Sequence, residues 1–339
     1  MTSKLNKLCS VIITTYNREN LIVETLNSVY NQTYRPIELI IIEDGSTDNT
    51  AIVINDWIKG INHRNFNIIF RVQENKGAPK ARNLALSLCS GDYIQEVGSD
   101  DLLHSSKFEL QITALEGNVS AQSAWNPLLR FNQGDVIDIS NSLLNEFKTH
   151  SIGVNAFDNQ LQFFPSAALH RAEVFKNTGA WDEGLKRWQD LIYQVRMTSN
   201  VKNVLVYNSP MYFFRQHNFG RINDQYRNYE GVENGIEALK LLEKYLNQSQ
   251  KRNYGTRREI FYLYYSLIQT SLKKQTVTPV VITEEPRFEI KKSAKKDFFS
   301  EEKTFIVQDL MRTFLYTILI IGVLFIIFFT RSVEATPFT

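Results

Sequence analysis

The stretch from Ser10 to Asp44, SVIITTYNRENLIVETLNSVYNQTYRPIELIIIED, decides how the chain is read. It opens on an apolar, β-branched run at Ser10–Tyr16 and closes on another at Glu38–Asp44, with a helix-like segment near Glu19–Tyr30 between them. Runs that are apolar throughout, rather than alternating, suit strands buried on both faces. Two further runs, Asn67–Gln73 and Asp92–Val97, extend the pattern, with helices predicted at Asn49–Lys59 and from Gly77 and Pro79 to Leu88. The order β-α-β-α-β-α-β gives an α/β fold with a mostly parallel central sheet and helices on both faces. Asn17 and Asp48 are the expected N-caps of the first two helices.

Ligands of open α/β sheets bind beyond the carboxyl ends of the strands, which directs attention to Thr15–Asn17, Asp44–Asp48, Glu74–Lys80 and Gly98–Asp101. Asp44, in Asp-Gly-Ser, is placed either to accept a nucleobase N–H or simply to shape a turn. Asp100 and Asp101 are adjacent carboxylates, a costly arrangement that suits Mg²⁺ or Mn²⁺ shared with a diphosphate, or alternatively the cap of a helix running through Leu115. Lys76 and Arg82 flank a helix start facing the same crevice, as anion ligands or as ordinary solvated cations. Neither G-x-G-x-x-G nor a P-loop occurs.

The composition is that of a folded, globular chain. The chain has 339 residues, 43% of them hydrophobic, and a formal net charge of +2, so a sizeable core is available and the basic surplus of a nucleic-acid binder is absent. Its two cysteines, Cys9 and Cys89, exclude a disulfide framework and a Cys-based zinc site. The short apolar run near the N-terminus does not read as a signal peptide. Added strands are expected around 118–130 and 160–170, then a helix at AEVFKNTG, and a helical pair at 228–245 and 257–272. From Thr313 to Thr330, TFLYTILIIGVLFIIFFT is uncharged and apolar, a transmembrane helix in preference to a buried core helix. Lysines and arginines crowd its upstream side while only Arg331 follows, so the expected arrangement is a single-pass C-terminal membrane anchor with the large domain cytoplasmic. The upstream KKSAKK is either a lipid-headgroup contact or a solvated linker.

Five blocks in order, SVIITTYNREN, IIIEDGSTDNT, ENKGAPKARNLAL, SGDYIQEVGSDD and GAWDEGLKRWQD, together with Arg215–His217, resemble the inverting family 2 glycosyltransferases of the GT-A fold over roughly residues 8–220. The resemblance implies that Thr15, Tyr16, Asp44 and Asp100 hold the nucleotide-sugar, to which Lys76 and Arg82 are added from their place at the helix start. It also implies that Asp101 and Asp100 hold the divalent metal, with His217 near the metal or diphosphate unless it is only a hydrogen-bonded surface histidine. Asp190 inherits the role of catalytic base, deprotonating an acceptor hydroxyl within a semi-enclosed site. The implied acceptor is a glycan or a lipid-linked molecule, and a homodimer is open. The chain departs from the family pattern at Gly98, where an acid is usual, and at Gln189, where Glu is common; a catalytically silent binding protein therefore stays open. The expected divisions are 1–118 for the nucleotide-sugar half, 119–222 for the acceptor and catalytic half, 223–275 for a helical extension, 276–312 for a basic linker, 313–330 for the transmembrane helix and 331–339 for a short tail.

Overall fold

The computed structural model describes residues 7–62, 64–135, 139, 147–151, 165–185, 188–207, 209–216, 237–238 and 240–241. The first apolar runs form β1 (Cys9–Thr15), β2 (Ile37–Glu43), β3 (Phe66–Val72) and β4 (Tyr93–Gly98), joined by α1 (Ile22–Tyr30), α2 (Thr50–Lys59) and α3 (Ala78–Leu88). β5 (Leu102–Leu103), α4 (Lys107–Gly117), β6 (Ser123–Trp125), β7 (Leu128–Asn132), β8 (Phe147–Ser151), β9 (Leu169–Arg171), α5 (Ala172–Thr178), α6 (Gln189–Ser199), β10 (Asn203–Tyr207) and β11 (Tyr212–Gln216) follow. One eight-stranded sheet has the order β3-β2-β1-β4-β9-β6-β10-β8, and a small sheet the order β5-β11-β7. β3, β2, β1 and β4 run parallel; β9 pairs antiparallel with both β4 and β6, which is where the direction of the sheet changes.

Strand alternation sorts the core into two layers. Val11, Ile13, Leu39 and Ile41 pack with Ile22, Leu26 and Ile54 of α1 and α2 and with Phe108, Ile112 and Leu115 of α4. Their neighbours Ile12, Ile40, Ile42 and Ile94 face the other way, onto Ala81 and Ala85 of α3, Val174 and Phe175 of α5, and Tyr193 and Met197 of α6. Because successive side chains point to opposite faces, strands with apolar residues at consecutive positions serve both layers, as β1 does at Val11–Ile13 and β2 at Leu39–Ile42. Lys107, wholly buried, ties α4 to its surroundings through Gln111 Oε1 at 2.6 Å, Ala167 O at 3.2 Å and Asn126 Oδ1 at 3.3 Å. Burial pushes its amine well below the usual range.

Several local expectations change. Asn17 does not cap α1, which begins at Ile22; it adopts φ 52°, its N–H donates to Ser46 Oγ and its Oδ1 accepts from Thr47 N, so it stitches two loops together. Asp48 lies one residue before the Asn49 N-cap of α2, and its Oδ1 accepts from Thr50 N at 3.0 Å. Burial acts to raise its pKa, but the hydrogen bonds from Thr50 and Glu19 outweigh this and lower it. Asp100 and Asp101 do not cap α4, because β5 intervenes and Ser106 stands at the helix start. β8 was not anticipated. Among the described residues no helix is long and apolar enough to cross a membrane. The predicted run 313–330, the basic linker, nearly all of the helical pair and His217 lie outside the described residues.

Gly45 shows how tightly the crevice loops meet. It has φ +71°, and a Cβ placed there would lie 2.5 Å from the backbone nitrogen of Asn75. Gly45→Ala is expected to cost about 1–3 kcal/mol through backbone strain and this contact, read as a lowered thermal midpoint.

Candidate active site

The carboxyl ends of β1, β2 and β4 deliver the expected residues to one crevice. Thr15 ends β1, buried, with a hydroxyl that has no hydrogen-bond partner, and half-buried Tyr16 follows it. Asp44 is buried, and its carboxylate is already occupied: Oδ1 accepts from Gln73 Nε2 at 2.6 Å and Lys76 N at 2.9 Å, and Oδ2 accepts from Gly77 N at 2.9 Å. It therefore folds the loop after β3 across the crevice, and Lys76 enters that loop through its backbone while remaining exposed. Asp100 accepts from Arg18 Nε at 3.2 Å through Oδ2; Arg18 also donates to Asn17 O at 2.9 Å.

Asp101 points inward at 3% exposure. Its Oδ2 accepts from the Tyr212 hydroxyl at 2.6 Å, and that oxygen in turn accepts from Gly98 N at 3.0 Å. Its Oδ1 accepts from Arg215 N at 2.9 Å. The Arg215 side chain donates to Asp100 O at 2.8 Å and Glu24 at 2.6 Å, and lies 4.7 Å from the Phe131 ring centroid. Burial, and after it the charge of Asp100, push the Asp101 carboxyl up to about 7. Burial and Asp101 hold the Tyr212 hydroxyl well above its usual range, so it stays a donor. The Gly98 departure acquires a reason here, because a Cβ at that position would stand 2.4 Å from Asp101 Oδ2.

Among the described residues no three His, Cys, Asp or Glu side chains gather to hold a metal ion. The acidic pair nonetheless fits a hard divalent cation. The charge of Asp100 raises the proton affinity of Asp101, and a cation would relieve the same repulsion.

Opposite this pair, Arg82 does not extend freely toward the crevice. Its Nε donates to Glu96 of β4 at 2.5 Å, and its guanidinium carbon lies 4.4 Å from the Trp181 ring centroid. The Tyr193 ring stacks on Trp181 at 3.9 Å with 7° between planes. Burial, then the charge of Glu96, raise the Tyr193 hydroxyl above its usual range. Asp190 sits in the first turn of α6 and is exposed, so the expected partial enclosure is not met by the described residues. Adjacent helix positions point in different directions, and it is Gln189, at 8% exposure, that turns inward, its Oε1 buried and unpaired. Arg18, Glu96, Trp181 and Tyr212 were not singled out from the sequence. Their partners lie 14 to 111 positions away, and no local pattern reports such contacts.

Residues 10–179, half of the chain, match the family model for glycosyl transferase family 2. The chain belongs to this family. An uncharacterized glycosyltransferase of Rickettsia bellii is 34% identical over 158 residues, which is 47% of this chain and 21% of that protein. Glycosyltransferase GlyG of Streptococcus pneumoniae is 25% identical, spanning 62% of this chain and 72% of its own length. An Escherichia coli UDP-Gal:alpha-D-GlcNAc-diphosphoundecaprenol beta-1,3-galactosyltransferase is 28% identical over 58% of this chain and 72% of its own. The alignment thus spans only about a fifth of the Rickettsia protein. Among solved structures, S. aureus TarS 1–349 superposes with a TM-score of 0.55 at 19% identity, covering 80% of this chain and 75% of that one. Its complex with UDP-GlcNAc gives a TM-score of 0.53. At this identity the likeness establishes the GT-A fold.

Asp101 yields a pH test. Its carboxyl rises from the ordinary 3.8 to about 7 in the fold, so the folded chain binds the proton more tightly than the unfolded chain. The stability this contributes is complete below about pH 4 and is lost as pH rises through about 7. With chelator present, Asp101→Asn should remove a downward slope of melting temperature between those limits, seen as the difference from the unmutated protein.

Proposed function

We propose that the chain is an inverting glycosyltransferase that moves a sugar from a UDP- or dTDP-linked donor to a hydroxyl of a glycan or lipid-linked acceptor, in the synthesis of a cell-surface polysaccharide or glycoconjugate. The observation that carries this reading is the convergence of Thr15, Tyr16, the loop organised by Asp44, and the Asp100–Asp101 pair beyond the ends of three parallel strands, in a member of family 2. UDP is favoured by the donor named for the E. coli relative and by the UDP-GlcNAc held by TarS.

In this reading Thr15 and Tyr16 take the nucleoside, and Lys76 on its Asp44-held loop meets the anionic donor. Asp100 and Asp101, with His217, would hold Mn²⁺ or Mg²⁺, which supplies positive charge to the departing diphosphate. Asp190 accepts the proton of the acceptor hydroxyl. The acceptor oxygen then forms a bond to the anomeric carbon from the face opposite the nucleotide, while the bond from that carbon to the diphosphate oxygen breaks with its electron pair going to the leaving group. The apolar run Thr313–Thr330 would hold this chemistry at a membrane, where tethering raises the effective concentration of a lipid-linked acceptor.

With full-length protein in detergent, UDP should raise the melting temperature in a Mn²⁺-dependent manner. Asp190→Asn should leave UDP affinity within a few-fold and reduce transfer by about a hundredfold or more; normal turnover in that variant would remove Asp190 as the base. Deleting residues 313–339 should shift the protein from the membrane fraction to the soluble one, and retention in the membrane would sink the anchor.

A further inference from the structure

Glu96 is a carboxylate on a strand buried on both faces, at 8% exposure, and the proposed reaction does not use it. A buried ion pair is seldom more stable than apolar residues of the same size, so stability alone does not account for Glu96 and Arg82. What the pair does hold is a flat platform. The Arg82 guanidinium lies against Trp181, and Tyr193 of α6 stacks on the same indole. Asn83, next to Arg82 on α3, pins the platform's backbone: its Oδ1 accepts from Trp181 N at 2.7 Å and its Nδ2 donates to Trp181 O at 3.1 Å. The Tyr193 hydroxyl donates to Gly179 O at 3.1 Å, tying α6 to the loop that carries Trp181.

The platform therefore fixes the opening of α6, where Asp190 stands. Gln189 is one helical turn before Tyr193 and on the same face. Trp188, immediately before, is held at φ 55°, an unfavourable conformation for a bulky residue, so the helix starts at an imposed angle. Two polar atoms around the platform are buried and unpaired: Nη1 of Arg82, a donor, and Oε1 of Gln189, an acceptor.

We propose that Glu96, Arg82 and Trp181 are positioning residues that aim Asp190, with Glu96 on β4 supplying the counter-charge to Arg82. This rests on Asp190 being the base, and it moves Arg82 from the donor-binding set to the support of the reaction centre. The pair acts on turnover rather than on donor affinity.

The test uses the full-length chain in detergent with Mn²⁺. It follows UDP release from UDP-N-acetylglucosamine and from UDP-galactose, UDP affinity by calorimetry, and hydrogen exchange at residues 189–193. Glu96→Gln and Arg82→Lys should each lower kcat at least about tenfold, as expected when a base is misaimed. UDP affinity should stay within about twofold, and exchange in the first turn of α6 should quicken. Glu96→Asp, which keeps a carboxylate on β4, should retain more of the kcat and of the protection than Glu96→Gln. Weakened UDP binding with kcat intact would return Arg82 to the donor site and overturn the proposal. So would unchanged exchange at 189–193, or Glu96→Asp no better than Glu96→Gln. Should Glu96→Gln not fold, Arg82→Lys, which keeps the charge but loses the flat stacked group, carries the same comparison. Asp190→Asn measured alongside separates the failures: full turnover there removes the base, whereas its loss together with silent Glu96 and Arg82 variants removes only the platform.

Discussion

Asp101 gives up nearly all contact with water, and a carboxylate in that position persists only where donors meet both of its oxygens. The donors come from the last described strand of the main body, β11: the Tyr212 hydroxyl on one oxygen and the Arg215 amide on the other. Everything around the crevice floor follows from this requirement. β11 must lie beneath the acidic segment, where it pairs with β5 just beyond it and with β7. Arg215 is then drawn under Asp100, whose carbonyl and main-chain path it fixes, and Glu24 brings α1 into the same network. Asp100 is left on the open side with Arg18 across from it. Two neighbouring carboxylates thus sit in different settings, Asp101 buried against Tyr212 and Arg215 and Asp100 paired with Arg18.

The parallel half of the sheet was legible because its signal is redundant. β1, β2 and β3 each carry consecutive apolar residues, β4 reads YIQEV before its glycine, and short polar segments follow, so strand, order and crevice follow from the same residues. Asp44, Asp100 and Asp101 could be placed at the crevice on that ground alone. What each side chain does there could not be, since the Asp44 carboxylate is consumed by backbone amides of the next loop and the Asp101 carboxylate by a tyrosine 111 positions later. Arg82 shows the same limit: its chemistry marks it as an anion ligand, but Glu96, which reads as one more residue in a buried strand, is its partner. Asn17 has the composition of a cap and takes a left-handed loop conformation instead. β8 escaped notice because its residues, FKTHS, carry little apolar character.

The two helical layers also differ in what they support. α1, α2 and α4 pack in a layer that mixes aliphatic residues with Phe66, Tyr93 and Phe108, where Tyr30 meets Trp57 and Phe66 edge-on. The layer of α3, α5 and α6 holds the face-to-face stack of Trp181 and Tyr193, which joins α6 to the segment before it. The base proposed at the start of α6 would gain from a rigid stack one turn away.

The missing acid at position 98 has a consequence for the order in which substitutions can accumulate. With Asp101 fastened to Tyr212, any side chain at 98 meets a carboxylate oxygen that cannot swing aside without leaving its donor. An acid fits there only once the Tyr212 contact has been loosened, and loosening it first leaves the buried Asp101 without that donor. The glycine and the tyrosine are consequently locked as a pair, each neutral only in the company of the other.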